Sequence, residues 1–326
     1  MKVGIVGAGG MGNVHALKYS LMEDVEIHVF DISRPKLEAF SRRHSITPHN
    51  SYPGMLGVVN AVDVCTPTDT HAAIAIPALE KGLAVLVEKP MAGSLEDCQA
   101  MVDASAKSCA PLMPAQVGRF FPEHRRAHDL IVGGKIGRPA SVRVRRGGRA
   151  PMGQDGWFQD PGRSGGVLLD LAVHEFDWLW WTLGPVVEVM SRSVTLGPAI
   201  EGADFVGDYA LTTLTHESGC VSHVESTWMD PSGFRTTIEA AGSEGVIDFD
   251  TRQNPSLRTH LQDSPSRAES LMLPTDDPYY LQLRAFVDGV AGRSPFPVTA
   301  EEGVLAVKVA LAAIESARTC QPVRLS

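Results

Sequence analysis

Apolar runs of strand length alternate with amphipathic stretches through the first third of the chain. The runs rich in Val, Ile, Leu and Ala have the length of buried strands and read "KVGIVG", "VEIHVF", "AVDVC", "LAVLV" and "PLMPAQV". Between them, apolar residues recur at helical spacing in segments such as "TDTHAAIAIPALEKG" and "SLEDCQAMVDASAKS". This alternation predicts βαβ units and therefore a doubly wound parallel sheet.

The pattern changes after about Gly118. Longer runs of alternating apolar and polar residues follow one another across short Gly-containing turns, and they read "PASVRVRR", "VVEVMSRSV", "DYALTTLT", "GCVSHVESTW", "RTTIEAAG" and "GVIDF". They predict a mainly antiparallel sheet. Two long helices are predicted next, "DPYYLQLRAFVDGVAG" and "TAEEGVLAVKVALAAIESART", the second with a capping box from Thr299 to Glu302. We therefore predict an α/β domain over residues 1–119 and an α+β domain over residues 120–326.

Charge argues against nucleic acid and anionic membranes as partners. Lys and Arg number 29 against 38 Asp and Glu, which gives a net charge of −9. A local exception is "RVRRGGR", which contains Arg143, Arg145, Arg146 and Arg149. We interpret these arginines as the solvent-facing half of a strand that alternates with Val142 and Val144. The alternative is a groove for a phosphorylated or carboxylated ligand.

The cysteines are scattered and lack metal-ligand spacing. They are Cys65, Cys98, Cys109, Cys220 and Cys320. We expect reduced thiols in a cytoplasmic protein, and no metal site. No apolar run approaches the about 20 residues of a membrane helix, and the chain starts directly in a predicted strand. We therefore expect neither export nor membrane insertion.

A glycine-rich turn follows the first predicted strand. "GAGGMG" has the G-x-G-x-x-G spacing, in which Gly7 permits a tight turn, Gly9 admits a pyrophosphate and Gly12 lets the next helix pack on the sheet. Asp31 closes the second strand, nineteen residues after Gly12, near the ~20-residue offset of a ribose-binding carboxylate. The pattern predicts a Rossmann site for NAD. Arg34 offers an alternative, because it could pair with the 2′-phosphate of NADP.

The stretch "VEKP" ends a predicted buried strand with Glu88, Lys89 and Pro90. Ligands of open parallel sheets bind beyond the carboxyl ends of the strands, where Thr66 and Pro67 also emerge one unit earlier. A partly desolvated lysine there is prepared to bind a developing alkoxide or to shuttle a proton. The alternative is an ordinary surface lysine at a strand end.

A second group of ionisable residues lies in "GGVLLDLAVHEFDWLWW". If this segment is one α-helix, Asp170, His174 and Asp177 share a stripe about 60° wide. Asp170 can then orient His174 for proton transfer with a hydroxyl or carbonyl group. We interpret Asp177 as structural. The alternative is that His174 is a satisfied core histidine and Asp170 a helix cap.

These segments resemble the glucose-fructose oxidoreductase, inositol dehydrogenase and MocA (Gfo/Idh/MocA) family over nearly the whole chain. The resemblance rests on "GAGGMG", "CTPTDTH", "EKP", "GRFFPEHRRAHDLIVGGKIG" and "DPGRSGGVLLDLAVHEFDWLWWTLG". It implies a Rossmann domain followed by a domain with an open-faced sheet that builds homodimers or homotetramers. It also implies that Lys89, Asp170 and His174 serve a sugar or cyclitol hydroxyl. The segment 51–61, "SYPGMLGVVNA", departs from the longer acidic helix and loop usual in the family.

Further site residues follow from the resemblance. The implied cofactor contacts are Gly7, Gly9, Gly10, Met11, Gly12, Asp31, Ile32, Thr66, Pro67, His71, Glu88, Lys89 and Gln116. The implied substrate contacts, besides Asp170 and His174, are Arg119, Trp157 and Arg163. The expected activity is NAD(P)-dependent hydride transfer on a hydroxyl or keto carbon of a sugar or cyclitol. The alternatives are an NAD-dependent glycoside hydrolase of the same fold and a non-catalytic dinucleotide or sugar sensor.

Overall fold

The chain forms two compact units. The computed structural model describes residues 1–151, 154–195, 208–262, 264–269 and 277–325. The first unit comprises residues 1–117 and 277–305, and the second comprises the described parts of 118–276 and 306–326. Residues 277–305 therefore belong to the first unit, whereas the sequence boundary at 119 assigned them to the second domain.

Of the strands among the described residues, eleven follow predicted apolar runs, whereas those at Thr47–Pro48, Leu257–Leu261, Ser264–Glu269 and Val323–Arg324 were not predicted. In chain order they are β1 (Lys2–Val6), β2 (Glu26–Phe30), β3 (Thr47–Pro48), β4 (Ala61–Val64), β5 (Ala84–Glu88), β6 (Leu112–Ala115), β7 (Pro139–Gly147), β8 (Val186–Val194), β9 (Tyr209–His216), β10 (Val221–Thr227), β11 (Arg235–Gly242), β12 (Gly245–Asp250), β13 (Leu257–Leu261), β14 (Ser264–Glu269) and β15 (Val323–Arg324).

The helices fill the segments between them. They are α1 (Gly10–Tyr19), α2 (Arg34–His44), α3 (Tyr52–Leu56), α4 (His71–Glu80), α5 (Leu95–Ser108), α6 (Pro122–Val132), α7 (Pro161–Ser164), α8 (Val173–Leu183), α9 (Pro278–Val290) and α10 (Ala300–Thr319). Short 3₁₀-helices lie at Thr68–Thr70, Val117–Phe120 and Gln154–Gln159, and a π-helical turn lies at Val167–Leu171. None of these helices is long and apolar enough to cross a membrane.

The sheet of the first unit is parallel throughout. Its order is β3-β2-β1-β4-β5-β6, which confirms the predicted doubly wound sheet. All residues of β4 and β5 are buried, as expected of strands covered by helices on both faces. The strand order reverses between β1 and β4. The carboxyl ends of these two strands therefore flank the position at which such sheets bind ligands.

Ion pairs attach residues 277–305 to the first unit. Lys18 Nζ in α1 lies 2.9 Å from Asp277 Oδ2 at the start of α9. Further along α9, the guanidinium of Arg284 donates to both carboxylate oxygens of Asp24, at 2.6 and 3.1 Å. These contacts join segments about 260 residues apart, so no local sequence pattern could predict them.

The sheet of the second unit is mixed but mainly antiparallel, as predicted. Its order is β14-β13-β12-β11-β7-β10-β9-β8-β15, and only β7 and β10 pair in parallel among the described strands. In β7, Val142 and Val144 are buried and Arg143 is exposed, in agreement with the predicted alternation. The prediction is wrong for Arg146, which is 6% exposed on the valine face.

The final helix begins as predicted and packs on the second sheet. Thr299 and Glu302 form the capping box: the Thr299 N–H donates to Glu302 Oε2 at 2.9 Å, and the Glu302 N–H donates to Thr299 Oγ1 at 3.3 Å. Near the other end of α10, Ser316 Oγ accepts the backbone N–H of Ser191 in β8 at 2.9 Å.

Candidate active site

Four glycines shape the turn between β1 and α1. Gly7 has a φ of +106°, and a Cβ there would lie 2.6 Å from the carbonyl oxygen of Cys65. A Cβ on Gly12 would lie 2.0 Å from the carbonyl oxygen of Gly7, so a side chain would force α1 away from the strand. No described atom lies within 4 Å of a Cβ built on Gly9 or Gly10. Two glycines thus make the turn and its packing, and two leave their backbone accessible to a pyrophosphate.

The carboxylate of Asp31 is fixed just beyond the end of β2. Its Oδ2 accepts the N–H of Ala8 at 2.8 Å, and its Oδ1 accepts the N–H of Ser33 at 2.7 Å. An ionised carboxylate has about four acceptor positions, so capacity remains for ribose hydroxyls. The adjacent Ile32 is 95% exposed, and Met11 is half-buried in the first turn of α1. This arrangement fits the adenosine half of a dinucleotide.

Arg34, the residue that favoured NADP as an alternative, has an anionic partner in the chain. Its Nε donates to Glu38 Oε1 at 3.2 Å, one turn further along α2. Both side chains are more than half exposed, so the pair is weak. A carboxylate beside the guanidinium also weakens its attraction for a 2′-phosphate.

His71 holds the turn after β4 against the turn after β5. Its Nε2 lies 2.9 Å from the carbonyl oxygen of Thr66, and its Nδ1 lies 3.1 Å from that of Pro90. The residue is 1% exposed. Burial lowers its pKa, an effect that the backbone carbonyls partly offset. Thr66 and Pro67 are thereby placed next to the Glu-Lys-Pro turn, while direct cofactor contact by His71 stays a prediction.

Glu88 and Lys89 lie at the carboxyl end of β5. Glu88 is 6% exposed, and its Oε2 accepts the N–H of Lys89 at 3.0 Å. Its Oε1 lies 3.2 Å from His15 Nε2. Burial would raise the pKa of Glu88, but the neighbouring His15 and Lys89 outweigh it and the pKa is lowered. An ionised carboxylate therefore lies next to the half-buried Lys89.

Gln116 is a buried amide directly after β6. Ala115 pairs with Glu88 across the sheet, so Gln116 lies in line with the Glu-Lys-Pro turn. It is 1% exposed, and neither Nε2 nor Oε1 has a hydrogen-bond partner among the described residues. Native structures leave few buried polar atoms unpaired. A ligand amide, with one donor group and one acceptor, would satisfy both atoms.

In the second unit, Asp170 and His174 do not lie on one continuous α-helix. Asp170 is in the π-helical turn, where the N–H of Ala172 donates to the carbonyl of Val167, five residues earlier, at 2.9 Å. His174 is in the first turn of α8. The predicted stripe at 100° per residue is therefore wrong for Asp170. The wider π turn gives the Asp170 side chain a different direction from the one that a continuous α-helix would give it. Such turns are frequent at functional sites.

Asp177 and Arg119 form a buried ion pair in the second unit. Arg119 Nε donates to Asp177 Oδ2 at 2.8 Å, and its Nη2 donates to Oδ1 at 2.7 Å. The two side chains are 3% and 2% exposed. The guanidinium also lies 5.2 Å from the ring centre of Trp181. A role of Asp177 in packing fits this geometry, and the substrate contact of Arg119 stays a prediction.

Trp157 and Arg163 lie on the segment before the π turn. Trp157 is half-buried, with its ring stacked on Phe158 at a centroid distance of 3.9 Å. Arg163 is half-buried in α7, whose first turn is capped by the Asp160 carboxylate. The cap and the stacked rings order this segment. Substrate contact by Trp157 and Arg163 stays a prediction.

The two units match two family models. Residues 1–116 match that of the oxidoreductase family with an NAD-binding Rossmann fold, and residues 124–248 match the C-terminal domain of the same family. The chain belongs to the Gfo/Idh/MocA oxidoreductase family. The predicted family and reaction class are confirmed, and the first unit is an NAD-binding Rossmann domain.

Family members resemble the chain over its full length. It is 27% identical to myo-inositol 2-dehydrogenase of Thermotoga maritima, over 100% of this chain and 98% of the relative. It is 28% identical to scyllo-inositol 2-dehydrogenase (NAD(+)) of Bacillus subtilis, over 100% and 96%. The structure of GenD2 from gentamicin A biosynthesis, in complex with NAD, superposes with a TM-score of 0.89 at 25% identity, over 100% of this chain and 96% of that one.

A buried group of side chains lies behind Glu88, and the sequence patterns discussed above did not predict it. His15 Nδ1 lies 2.8 Å from Asp63 Oδ2, and Cys65 Sγ lies 3.3 Å from the same nitrogen. Two ligands of a tetrahedral ion, each about 2.1 Å from the metal, would lie about 3.4 Å apart, so we interpret the shorter contact as a hydrogen bond. The sequence signal was an aspartate inside the apolar run "AVDVC".

A second group that sequence patterns missed lies under the sheet of the second unit. Arg146 Nε in β7 donates to Glu175 Oε1 in α8, and both residues are buried. His124 in α6 lies nearby among aromatic rings, 5.4 Å from Phe249 and 6.1 Å from Trp178 between ring centres. These contacts attach α6 and α8 to the sheet of the family's C-terminal domain.

Proposed function

We propose that this protein is an NAD-dependent dehydrogenase or reductase acting on a hydroxyl or keto carbon of a sugar or cyclitol. The observation that carries the proposal is the cradle after β1. Gly9 and Gly10 leave their backbone open, while backbone N–H groups fix Asp31 beside them. The inositol dehydrogenases among the relatives support a cyclitol or sugar as substrate.

NAD is the proposed cofactor in preference to NADP. The Asp31 carboxylate suits the ribose hydroxyls of NAD and repels a 2′-phosphate. Arg34, the nearest candidate for binding that phosphate, already contacts Glu38. Both features favour the unphosphorylated cofactor.

At the other end of the cofactor, we assign Gln116 to the nicotinamide carboxamide. Its unpaired donor and acceptor match a primary amide, and its place beside the end of β5 brings it close to Glu88. Thr66 and Pro67 follow β4 at the same edge of the sheet and are assigned to the cofactor as well.

Three residues are assigned to the chemistry. Bound NAD supplies the hydride acceptor. During oxidation, His174 accepts the proton of the substrate hydroxyl, Asp170 orients the imidazole and the Lys89 ammonium stabilises the alkoxide. General acid–base help of this kind contributes about 10²–10⁴-fold. Arg119, Trp157 and Arg163 are assigned to substrate binding.

The test is NAD reduction with a panel of cyclitols and aldoses. Lys89→Met and His174→Ala should each lower kcat about 10²-fold or more while the dissociation constant for NAD stays within about twofold. Lys81→Met, which changes an exposed lysine after α4, serves as the matched control and should behave as the native protein. Full turnover in either site variant, or release of an aryl leaving group without net NADH, would contradict the assignment.

We further propose a homodimer or homotetramer built through the second sheet. One face of this sheet is partly open, and it leaves Leu211 in β9 46% exposed and Val194 in β8 49% exposed. An exposed apolar face of this kind favours association. Sedimentation equilibrium should give two or four times the 35.0 kDa chain mass, and a monomer at micromolar concentration would reject the proposal.

A cytoplasmic location is also proposed. All five cysteines are free thiols in the structure, including the buried Cys65, Cys98 and Cys220. Reduced thiols are typical of reducing compartments. Cell fractionation with an antibody against the protein tests this, and recovery outside the cytoplasm would contradict it.

A further inference from the structure

A buried group of four side chains lies directly behind the end of β5. We call it the imidazole cluster: His15 in α1, Asp63 in β4, Cys65 just after β4, and Glu88 in β5. The side chains of His15 and Asp63 are 0% exposed and that of Glu88 is 7% exposed. None of these residues except Glu88 belongs to the cofactor or substrate sets assigned above.

The two ring nitrogens of His15 face two different carboxylates. Nδ1 is hydrogen-bonded to Asp63 Oδ2 at 2.8 Å. Nε2 lies 3.2 Å from Glu88 Oε1, an ion-pair contact without the alignment of a hydrogen bond. A neutral ring between these two carboxylates would leave the buried Asp63 charge without a cation beside it, which is strongly unfavourable. The geometry therefore favours an imidazolium.

The neighbouring groups leave His15 as the cation of the cluster. Burial and the Asp63 carboxylate raise the pKa of the Cys65 thiol and of the Tyr19 phenol, so both groups stay neutral. The His71 ring, which also senses the Glu88 charge, has a lowered pKa because it is buried. The ring of Tyr279 in α9 lies 6.4 Å from His15. Burial lowers the pKa of His15 itself, but the Asp63 carboxylate outweighs this and raises it.

Glu88 connects this cluster to the proposed nicotinamide end of the site. While Oε1 faces His15, Oε2 accepts the N–H of Lys89. His15 also lies on the helix that starts at the glycine turn. A single buried cation thus joins the pyrophosphate-binding helix to the strand end that carries Glu88 and Lys89. Its loss would leave the Glu88 carboxylate without the imidazolium beside it.

We propose that His15 is a positioning residue that acts through Glu88: it keeps the Glu88 carboxylate ionised and oriented, and thereby favours the cationic, oxidised cofactor NAD⁺ over NADH. The inference rests on the proposed function, because it needs a nicotinamide at the end of β5. It goes beyond that function because it assigns the preference for NAD⁺ over NADH to His15, a residue that need not contact the cofactor.

The test measures dissociation constants for NAD⁺ and NADH by titration calorimetry from pH 6 to 9. In the native protein, the affinity for NAD⁺ should change less than twofold over this range because Glu88 stays ionised. In His15→Gln, binding of NAD⁺ should weaken on the order of tenfold as the pH falls from 9 to 6, since Glu88 then becomes protonated. The affinity for NADH, whose ring is neutral, should change by no more than about twofold.

Two further variants identify Glu88 as the mediator. Glu88→Gln should bind NAD⁺ more weakly at every pH, and His15→Gln/Glu88→Gln should lose the pH dependence of the single His15 variant. The control is His28→Gln, which changes a buried histidine of the same unit that also contacts a carboxylate, at 3.0 Å from Glu26. It should bind both cofactor forms as the native protein does.

The outcomes separate the two proposals. A native protein that binds neither NAD⁺ nor NADH overturns the proposed function. If the native protein binds NAD⁺ but His15→Gln keeps the native ratio of the two affinities at every pH, only the role of His15 is overturned. If His15→Gln does not fold, Glu88→Gln decides alone: a native preference for NAD⁺ in that variant overturns the inference, and a reduced preference supports it.

Discussion

Each unit of the molecule buries a histidine among charged groups, and the two histidines have opposite charge states. In the first unit, His15 lies between the carboxylates of Asp63 and Glu88, and Asp63 raises its pKa although burial acts against this. In the second unit, burial and the nearby Arg146 lower the pKa of His124 to about 3. The first histidine is therefore charged and the second is neutral at physiological pH.

The difference lies in which residue supplies the buried cation. In the second unit, Arg146 pairs with Glu175 and Arg119 pairs with Asp177. Arginine stays charged at any pH that a protein survives, so these pairs are fixed parts of the fold. In the first unit, the cation is a histidine, whose charge can respond to pH and to a ligand. A buried carboxylate that contacts a histidine is therefore a better indicator of a functional site than one that pairs with an arginine.

Breaking an arginine pair should have the largest effect on stability. Arg146→Met leaves the Glu175 carboxylate buried without its cation, and we expect a loss of about 3–5 kcal/mol in the free energy of unfolding. Urea unfolding followed by tryptophan fluorescence measures this, because every tryptophan lies in the second unit: Trp157, Trp178, Trp180, Trp181 and Trp228.

The matched control lies on the same strand. Arg143 pairs with Glu239 at the surface, and both side chains are more than half exposed. Arg143→Met should therefore change the free energy of unfolding by only about 0–1 kcal/mol. Equal losses in the two variants would show that burial of the arginine pair is not what stabilises this unit.

Replacing the histidine cation should have a somewhat smaller effect that depends on pH. We expect His15→Gln to lose about 2–4 kcal/mol near pH 7, because it also leaves buried carboxylates uncompensated. A histidine whose folded-state pKa lies above its unfolded value of about 6.5 stabilises fully below pH 6.5, and this contribution falls as pH rises toward the folded-state pKa. The free energy of unfolding of the native protein should therefore fall between pH 6.5 and 8.

The double variant His15→Gln/Glu88→Gln isolates this titration. It lacks both the histidine and the acid that would otherwise take up its proton, so the fall between pH 6.5 and 8 should disappear. Far-UV circular dichroism during urea unfolding reports both units, and tryptophan fluorescence reports the second alone, so their difference gives the unfolding of the first unit, which has no tryptophan. A fall of equal size in the native protein and the double variant would mean that His15 is not the titrating group.

Local patterns were sufficient for much of the first unit. The roles of Gly7 and Gly12, the parallel sheet and the place of Asp31 follow from spacing along the chain, because a strand, its turn and the next helix are contiguous. The capping box from Thr299 to Glu302 is local in the same sense. The offset of Asp31 and the capping box depend on residues within about twenty positions of one another, and the sheet is built from strands and helices that alternate along the chain.

Features that depend on partners far apart along the chain could not be predicted from the sequence. Arg146 looked like a surface residue, because nothing near it in the chain shows that Glu175 will meet it in the core. The pairing of His15 with Asp63 joins residues 48 positions apart. The π turn at Val167–Leu171 replaces an α-helical turn without a distinctive sequence signal. A buried charge identifies its partner only after the fold is known.

The smallest expected effect on stability comes from His124. Its contribution to the free energy of unfolding is lost as pH falls, whereas that of His15 is lost as pH rises. A histidine whose pKa is lowered on folding stabilises fully above its unfolded value of about 6.5, and this contribution is lost as pH falls toward about 3. His124→Leu removes this loss of stability at acidic pH. Between pH 6.5 and 5, the free energy of unfolding of the variant should therefore rise relative to that of the native protein, by at most about 1.4 kcal/mol for each pH unit of acidification. Tryptophan fluorescence during urea unfolding at several pH values measures the difference. A difference that stays constant with pH would show that His124 does not resist protonation, and the contrast between the two histidines would then fail.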